Sequence, residues 1–482
     1  MDISQKQGKL ILPDRSFSHR EFKADVLRFS DELQEKGLTS DTRVILKCSN
    51  SYTFCVALFS LMHLNTSIVL MDVEMNANDM NDVQTRTHAK WFLTDDEVHV
   101  SDPACIQMKL PCFEEMTRPQ GQEERDISLE GWFERRDAVI LFSSGSTGRP
   151  KGIVKSGKSI FYNKQATAEA MQYRADDVLL PMVPFFNTWG FFLLIIWWLT
   201  GCSLFICNYR FTGNLTRYLI NHSVTVVEAT ISTTYSTLQL LKSRPDLLQK
   251  VKNSSLRMWY TSGAPVSDSL KGEFYQHLGQ PLLDYYGSSE AGNLTAGNLD
   301  DSVATGRVIS GVEVKIVDSE GKELPPGKVG DVYAKGNALM EGYLVTPEEY
   351  RLDLKDGWMD MKDFGYFDEA GHLYVLGRKD NAIHRMGSTF YTCHMERMVE
   401  ELGVLAEVVA LPDERKGSYL VLFVQYPKAD ISSIRKKILK SIPTYMYPDK
   451  LICMDEFPFL PMGKIDKKQL ERKAQELCAP VL

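Results

Sequence analysis

Between Leu141 and Gly152 the chain reads Leu-Phe-Ser-Ser-Gly-Ser-Thr-Gly-Arg-Pro-Lys-Gly, a run that sets hydroxyls, glycines and cations side by side. Ser143, Ser144, Ser146 and Thr147 offer donors that rotate to fit, and Gly145 and Gly148 let backbone N–H groups turn inward. Arg149 and Lys151 add charge. A nest of this kind suits an anion, and phosphate is the expected guest. The spacing is not that of a Walker loop, because Lys151 follows Pro150 and precedes Gly152, leaving no hydroxyl after the lysine for magnesium. The apolar run Ala138-Val-Ile-Leu-Phe142 ahead of it reads as a buried strand feeding the loop.

This stretch resembles the phosphate-binding loop of the adenylate-forming superfamily, which covers acyl- and aryl-CoA synthetases, peptide-synthetase adenylation domains and luciferases. Further stretches match that family's motifs in order along nearly the whole chain. Asp284-Tyr-Tyr-Gly-Ser-Ser-Glu290 is similar to its Y-G-x-T-E motif. The likeness implies that Tyr286, with Gly287 and Ser288, stacks on adenine, that Ser289 sits near the α-phosphate, and that Glu290 holds Mg2+. A flat aromatic face suits a purine, and an oxygen ligand suits a hard cation that also bridges phosphates. Ser262-Gly263-Ala264-Pro265 matches the loop that flanks the adenine. Gly357-Trp-Met-Asp-Met-Lys-Asp363 matches the segment whose final aspartate accepts from both ribose hydroxyls, with Lys362 where the family has glycine. Arg378 corresponds to the next ATP contact.

Asp380 matches the hinge about which the family's small domain swings, and Gly387 the residue lining its pantetheine tunnel. Beyond Gly387 the chain departs from the family pattern, with Thr389 where arginine is common and His394 where glutamate is common. Leu460-Pro-Met-Gly-Lys-Ile-Asp466 matches the C-terminal lysine loop, which makes Lys464 the catalytic candidate beside Ser289 and Glu290. A carboxylate attacking the α-phosphorus brings two anions together. A flexible ammonium between them screens the repulsion and follows the developing charge.

Pro184-Phe-Phe-Asn-Thr-Trp-Gly190 aligns with the family's acyl-pocket motif, Asn187 standing in for its usual histidine. No aspartate lies at 185–190 to hold an ammonium group, which disfavours a free α-amino acid. Asn187 and Thr188 either bond a hydroxyl of the acid or satisfy backbone. Trp189 and Thr230 would supply walls and Gly292 depth, an arrangement equally compatible with plain core. The resemblance thus implies ATP-dependent activation of an aryl or medium-length carboxylic acid to acyl-AMP, with release of pyrophosphate. Transfer follows to a phosphopantetheine thiol, on CoA or on an acyl or peptidyl carrier protein. The alternatives are a catalytically degenerate acyl- or nucleotide-binding protein, or a phosphotransferase releasing orthophosphate.

The elements that must position these residues are legible in the patterning. A chain of 482 residues exceeds what one core usually holds. Its net charge of −8, without a long basic run, argues against a nucleic-acid partner. Nine scattered cysteines and no apolar leader suggest a cytoplasmic protein of reduced thiols. Trp189 to Cys207 carries no charge, yet Thr200-Gly201 divides it into a helix-length and a strand-length piece, which indicates core rather than membrane. Strands at 43–47 and 67–71 alternate with helices from Ser18 to Gly37 and from Phe54 to Leu64, and the alternation resumes after the loop, predicting wound α/β sub-lobes. Pro103 to Glu130 reads as an irregular surface connection. From about residue 305, short runs punctuated by glycine and proline predict a small antiparallel, β-barrel-like part. The expected organisation is an ATP- and acid-binding domain over 1–379 and a mobile α+β domain over 380–482.

Overall fold

The structure, a computed structural model, describes residues 8–97, 102–116, 124–143, 151–379, 382–385, 388–413, 417–427, 430–459 and 465–478. Two large sheets carry most of it. The first runs Tyr350–Arg351, Gly342–Leu344, Lys151–Lys155, Val139–Ser143, Ser67–Leu70, Arg43–Lys47, Trp91–Thr94, Ile106–Lys109. Its strands from Val139–Ser143 onward are mutually parallel. Val139–Ser143 also pairs antiparallel with Lys151–Lys155, so Ser143 faces Lys151 across the mouth of the serine-rich loop. The second sheet has nine strands, among them Val178–Met182, Val226–Thr230, Met258–Ser262 and Leu282–Ser288, with antiparallel pairs at both edges.

The alternation of helix and strand arises from local chemistry. Ser18 starts the His19–Glu35 helix with a reciprocal cap, its hydroxyl accepting from the Glu21 N–H while its own N–H donates to the Glu21 carboxylate. The helices Tyr52–His63 and Thr188–Thr200 are apolar on every side because nearly every residue of each is buried. The second spans 13 residues, about 20 Å of rise against a hydrocarbon core of about 30 Å. Gly201 stops it in the left-handed region at φ 71°. Among the described residues, no helix is long and apolar enough to cross a membrane.

Three departures from the sequence reading have physical causes. The stretch after Pro103 contributes a strand, Ile106–Lys109, parallel to Trp91–Thr94 at the sheet edge. Its side chains are mostly exposed, so it lacks the alternation that announces a strand. Lys450–Met454 adds a third strand to the C-terminal sheet of Ala406–Asp413 and Gly417–Gln425. The Lys467–Cys478 helix that packs on Ala406–Asp413 buries only Leu470, Ala474 and Cys478, a stripe too narrow to stand out. Between these regions Val312–Val317, Gly330–Gly336, Met359–Phe367 and Leu373–Arg378 form an antiparallel sheet in that order. Tyr235, on the Ile231–Ser243 helix, packs against both the second large sheet's core and the C-terminal core.

Gly190, in the first turn of the Thr188–Thr200 helix, lies so close to the preceding chain that a Cβ would come 2.1 Å from the Pro184 carbonyl oxygen. Backbone cannot give way as a side-chain tip can. Gly190→Ala should therefore cost roughly 1–3 kcal/mol, read as a lowered urea midpoint; an unchanged midpoint would show that the turn yields freely.

Candidate active site

Leu282–Ser288 leaves the second sheet through a turn at 289–291 and returns antiparallel as Gly292–Ala296. The pairing slips between Tyr286 and Gly287, and a Cβ on Gly287 would sit 2.3 Å from the Gly292 carbonyl oxygen. That close approach requires glycine. Ser288 tightens the turn by accepting from the Ala291 N–H at 3.1 Å.

Glu290, on this turn, is tied to the first sheet by side chain and main chain together. The Tyr343 hydroxyl donates to its Oε1 at 2.9 Å. Its carbonyl accepts from the Met340 N–H at 2.6 Å and from Lys155 Nζ at 3.3 Å. The same ammonium nitrogen bonds the Ala338 carbonyl. Lys155 is fully buried, and desolvation pulls its pKa down to about 7 despite the attraction of Glu290 and Glu341. Lys151, exposed at the other end of the same strand, holds its Nζ 5.5 Å from the centre of the Tyr343 ring.

Tyr286 bonds the antiparallel sheet. Its hydroxyl donates to Asp363 Oδ2 at 2.5 Å, and Arg378 lies 3.6 Å from Oδ1 while donating to the Met361 carbonyl at 3.1 Å. Asp363 and Arg378 are cross-strand partners. Burial raises the Asp363 carboxyl above its ordinary value, opposed by the Tyr286 bond and the Arg378 charge. Lys362 stands at φ 60°, in the left-handed region, which accounts for a glycine being the family's usual choice there. Its N–H and its ammonium both bond Asp360, at 2.9 and 2.7 Å, which supports the strained backbone.

Thr188 and Ser289, which the sequence assigned to the acid and the α-phosphate, share a hydrogen bond of 2.6 Å between their hydroxyls. Asn187 satisfies backbone: its Oδ1 caps the Thr188–Thr200 helix, accepting from the Gly190 N–H at 2.8 Å. Trp189 donates from Nε1 to Glu228 at 3.0 Å. Thr230 caps the Ile231–Ser243 helix. Gly292 faces no open depth, since a Cβ there would come 2.5 Å from Asn163 Oδ1. Gly263, Ala264 and Pro265 are exposed beyond the Met258–Ser262 strand, where the Ser262 hydroxyl donates to the Tyr285 carbonyl at 2.8 Å.

Ser144, Gly145, Ser146, Thr147, Gly148, Asp380, Gly387 and Lys464 lie outside the described residues, as does the side chain of Ser143. The chain on either side of the lysine loop is joined, Phe459 pairing antiparallel with Ile465. Four residues of the site escaped the sequence reading: Tyr343, Lys155, Lys164 and Glu228. Lys155 and Glu228 had a visible signal, a charge at the end of an apolar run; Lys164, between Asn163 and Gln165, and Tyr343 had none. Glu228 is fully buried and receives three donors, Tyr173 at 2.5 Å, Trp189 at 3.0 Å and Tyr285 at 3.2 Å.

Fold and site together define an adenylate-forming enzyme. The sequence pattern of the family described as AMP-binding enzyme matches residues 4–344, and the chain belongs to that family. It is an AMP-forming acid–thiol ligase. Among its relatives is the fatty acid–[acyl-carrier-protein] ligase ScoC of Streptomyces coeruleorubidus, 26% identical and covering 95% of this chain and 91% of that protein. Another is the 2-succinylbenzoate–CoA ligase of Bacillus pumilus (strain SAFR-032), 24% identical over 98% of this chain and 96% of the other. In three dimensions the fold is similar to ATP-bound MatB from Rhodopseudomonas palustris, with a TM-score of 0.84 at 20% identity, covering 99% of this chain and 97% of that one.

Burial raises the Glu228 carboxyl from 4.5 to about 7, against the pull of its three donors. As pH rises the unfolded chain therefore loses this proton first, and the stability tied to it declines until about pH 7. Glu228→Gln cannot ionise, so it should narrow the difference between melting temperatures at about pH 5 and about pH 8. A difference as wide as that of the unaltered protein would mean the carboxyl titrates as if exposed.

Proposed function

We propose that the protein uses ATP to activate a carboxylic acid as acyl-AMP, releasing pyrophosphate, and then passes the acyl group to a phosphopantetheine thiol. The observation that carries this reading is the meeting of Lys151, Tyr343 and Glu290 with Tyr286, Asp363 and Arg378 across three sheets. In this reading Ser143, Ser144, Gly145, Ser146, Thr147, Gly148 and Lys151 cradle the phosphates. Asp363 and Arg378 bind the ribose, Tyr286 and Gly287 back the adenine, and Gly263, Ala264 and Pro265 border it. Tyr286 already holds one Asp363 oxygen, so a ribose hydroxyl would take the Oδ1 side facing Arg378.

Glu290 has one oxygen bonded by Tyr343; a single carboxylate beside phosphate oxygens and water is a donor set that fits Mg2+. When bound, that ion would offset charge on the phosphates. Tyr343 orients the carboxylate, so Tyr343→Phe should raise the magnesium concentration needed for half-maximal activity several-fold with little change at saturation. An unaltered magnesium requirement would remove Tyr343 from this role.

The acid enters beside Thr188 and Ser289. Asn187 is engaged in capping its helix, and no aspartate at 185–190 stands ready for an α-ammonium group. An aryl or medium-length acid is the substrate class this reading proposes. The names of the two relatives divide the acceptor between a carrier protein and CoA, and either supplies the same thiol chemistry. Lys464 bridges the attacking carboxylate and the α-phosphate, after which the domain from Asp380 to the C-terminus rotates away from residues 1–379 and the thiol arrives past Gly387. The reactions are expected to take place in the cytoplasm.

Acid-dependent exchange of labelled pyrophosphate into ATP tests the first step. Lys464→Ala should lower it by about 10²–10³ while still consuming supplied acyl-adenylate in the thiol step. Release of orthophosphate instead of pyrophosphate would overturn the mechanism.

A further inference from the structure

His372 lies outside the site described above, yet it closes the far end of the hairpin that carries two of its residues. The strands Met359–Phe367 and Leu373–Arg378 pair Asp363 with Arg378 near one end and Phe367 with Leu373 at the other. Between Phe367 and Leu373 the chain turns back, and the Asp368 carboxylate accepts from the His372 backbone N–H at 2.8 Å. The imidazole is buried, and each ring nitrogen meets a carboxylate: Nδ1 lies 2.8 Å from Asp368 Oδ2, and Nε2 lies 2.9 Å from Asp301 Oδ2. Ionised acceptors on both sides of one ring call for two N–H donors, which only the imidazolium has. Asp301 belongs to the segment 297–306, which joins Gly292–Ala296 to Arg307–Val308 in the second large sheet.

The bridge fastens the hairpin's turn to that sheet, and its neighbours share the task. Arg307 donates from Nε to the same Asp301 oxygen at 2.8 Å and also bonds the Ala370 carbonyl. Thr305 donates to the Leu373 carbonyl from its N–H at 3.2 Å and from its hydroxyl at 2.7 Å. The Thr305 hydroxyl accepts from Thr295 at 3.0 Å, and Thr295 is the cross-strand partner of Tyr286. The circuit closes at Asp363, which accepts from Tyr286 at 2.5 Å, roughly 13 Å along the strand from Phe367. The hairpin thus meets the second sheet at the His372 turn and again at the nucleotide end. A paired strand between the two points carries a shift of the first to the second.

The charged groups around the imidazole are Asp368 from its own turn, Asp301 from the 297–306 segment and, through Asp301, Arg307 from the neighbouring strand. Burial opposes the charged ring, but the bonds and charges of Asp368 and Asp301 outweigh it and hold the His372 pKa above its ordinary 6.5. A pKa raised by folding means that the bridge is whole below about pH 6.5 and is lost as pH rises through the folded value. A neutral ring then turns a lone pair toward one of the two carboxylates.

We propose that His372 is a positioning residue for the nucleotide: its imidazolium, bridging Asp368 and Asp301, locks the hairpin of Asp363 and Arg378 onto the sheet of Tyr286, and loss of its proton loosens the ribose contact. This rests on the adenylation reading above and adds a proton-dependent control of ATP binding at the same site.

The test is calorimetric titration of the full chain with ATP in excess Mg2+, from about pH 6 to about pH 9. The unaltered protein should bind ATP roughly fivefold more weakly at the upper end, the equivalent of one hydrogen bond. His372→Gln should show that weaker binding already at about pH 6 and lose this step from its profile; reading the difference between the two proteins cancels other titrating groups. Asp301→Asn removes one charge from the ring and should move the step to lower pH, which keeps the test open if His372→Gln does not fold. An equal loss at every pH would make His372 a structural clamp and overturn the proposal, as would profiles that neither variant alters; both leave adenylation standing. No ATP binding by the unaltered protein at any pH overturns both readings.

Discussion

A single buried amine joins the two large sheets. Lys155 leaves the first sheet and bonds the carbonyls of Glu290 and Ala338 from a fully buried position. Its desolvation is costly, and the two carbonyls offset part of it by accepting its hydrogen bonds. The consequence is geometric. The turn at 289–291 cannot drift relative to Tyr343 and Lys151, so the Glu290 carboxylate meets the mouth of the serine-rich loop in one orientation. The Tyr286–Asp363 bond does the same for the antiparallel sheet.

These bonds hold side chains whose sequence positions are far apart. Asp363 is 77 residues from Tyr286, and Tyr343 is 53 from Glu290. Both bonds involve carboxylates, and a hydroxyl giving to a charged acceptor is stronger than one between neutral groups. Burial strengthens it further while making any loss of partner costly. The Glu290 turn and the Asp363 edge are thus held on several sides. The neighbouring region is built differently, with the Thr188–Ser289 hydroxyl pair and a dense polar layer of Asn163, Lys164 and Asn293.

The alternation of strand and helix was readable because period and capping are local properties. Ser18 at a helix start, Gly201 after an apolar run, and the short β runs beyond residue 305 all declared themselves. Elements held mainly by neighbours did not: Ile106–Lys109 is a strand because Trp91–Thr94 offers it a ladder, and Lys450–Met454 because Gly417–Gln425 does. Asn187 could be read two ways from its type alone, and only the position of Gly190 N–H made it a cap.

From sequence alone came the family, the order of its motifs, and the chemical types set at each: hydroxyls and cations for phosphate, a carboxylate for magnesium, another for a diol. These follow from residue identity and short spacing, which survive without a fold. Tertiary structure alone decided that Tyr343 would orient Glu290, that Asn163 would fill the space before Gly292, and that Lys155 and Lys164 would be buried rather than solvated. A lysine's charge is written in its side chain, but the price of that charge depends on what surrounds it, and only the packed chain supplies the surroundings.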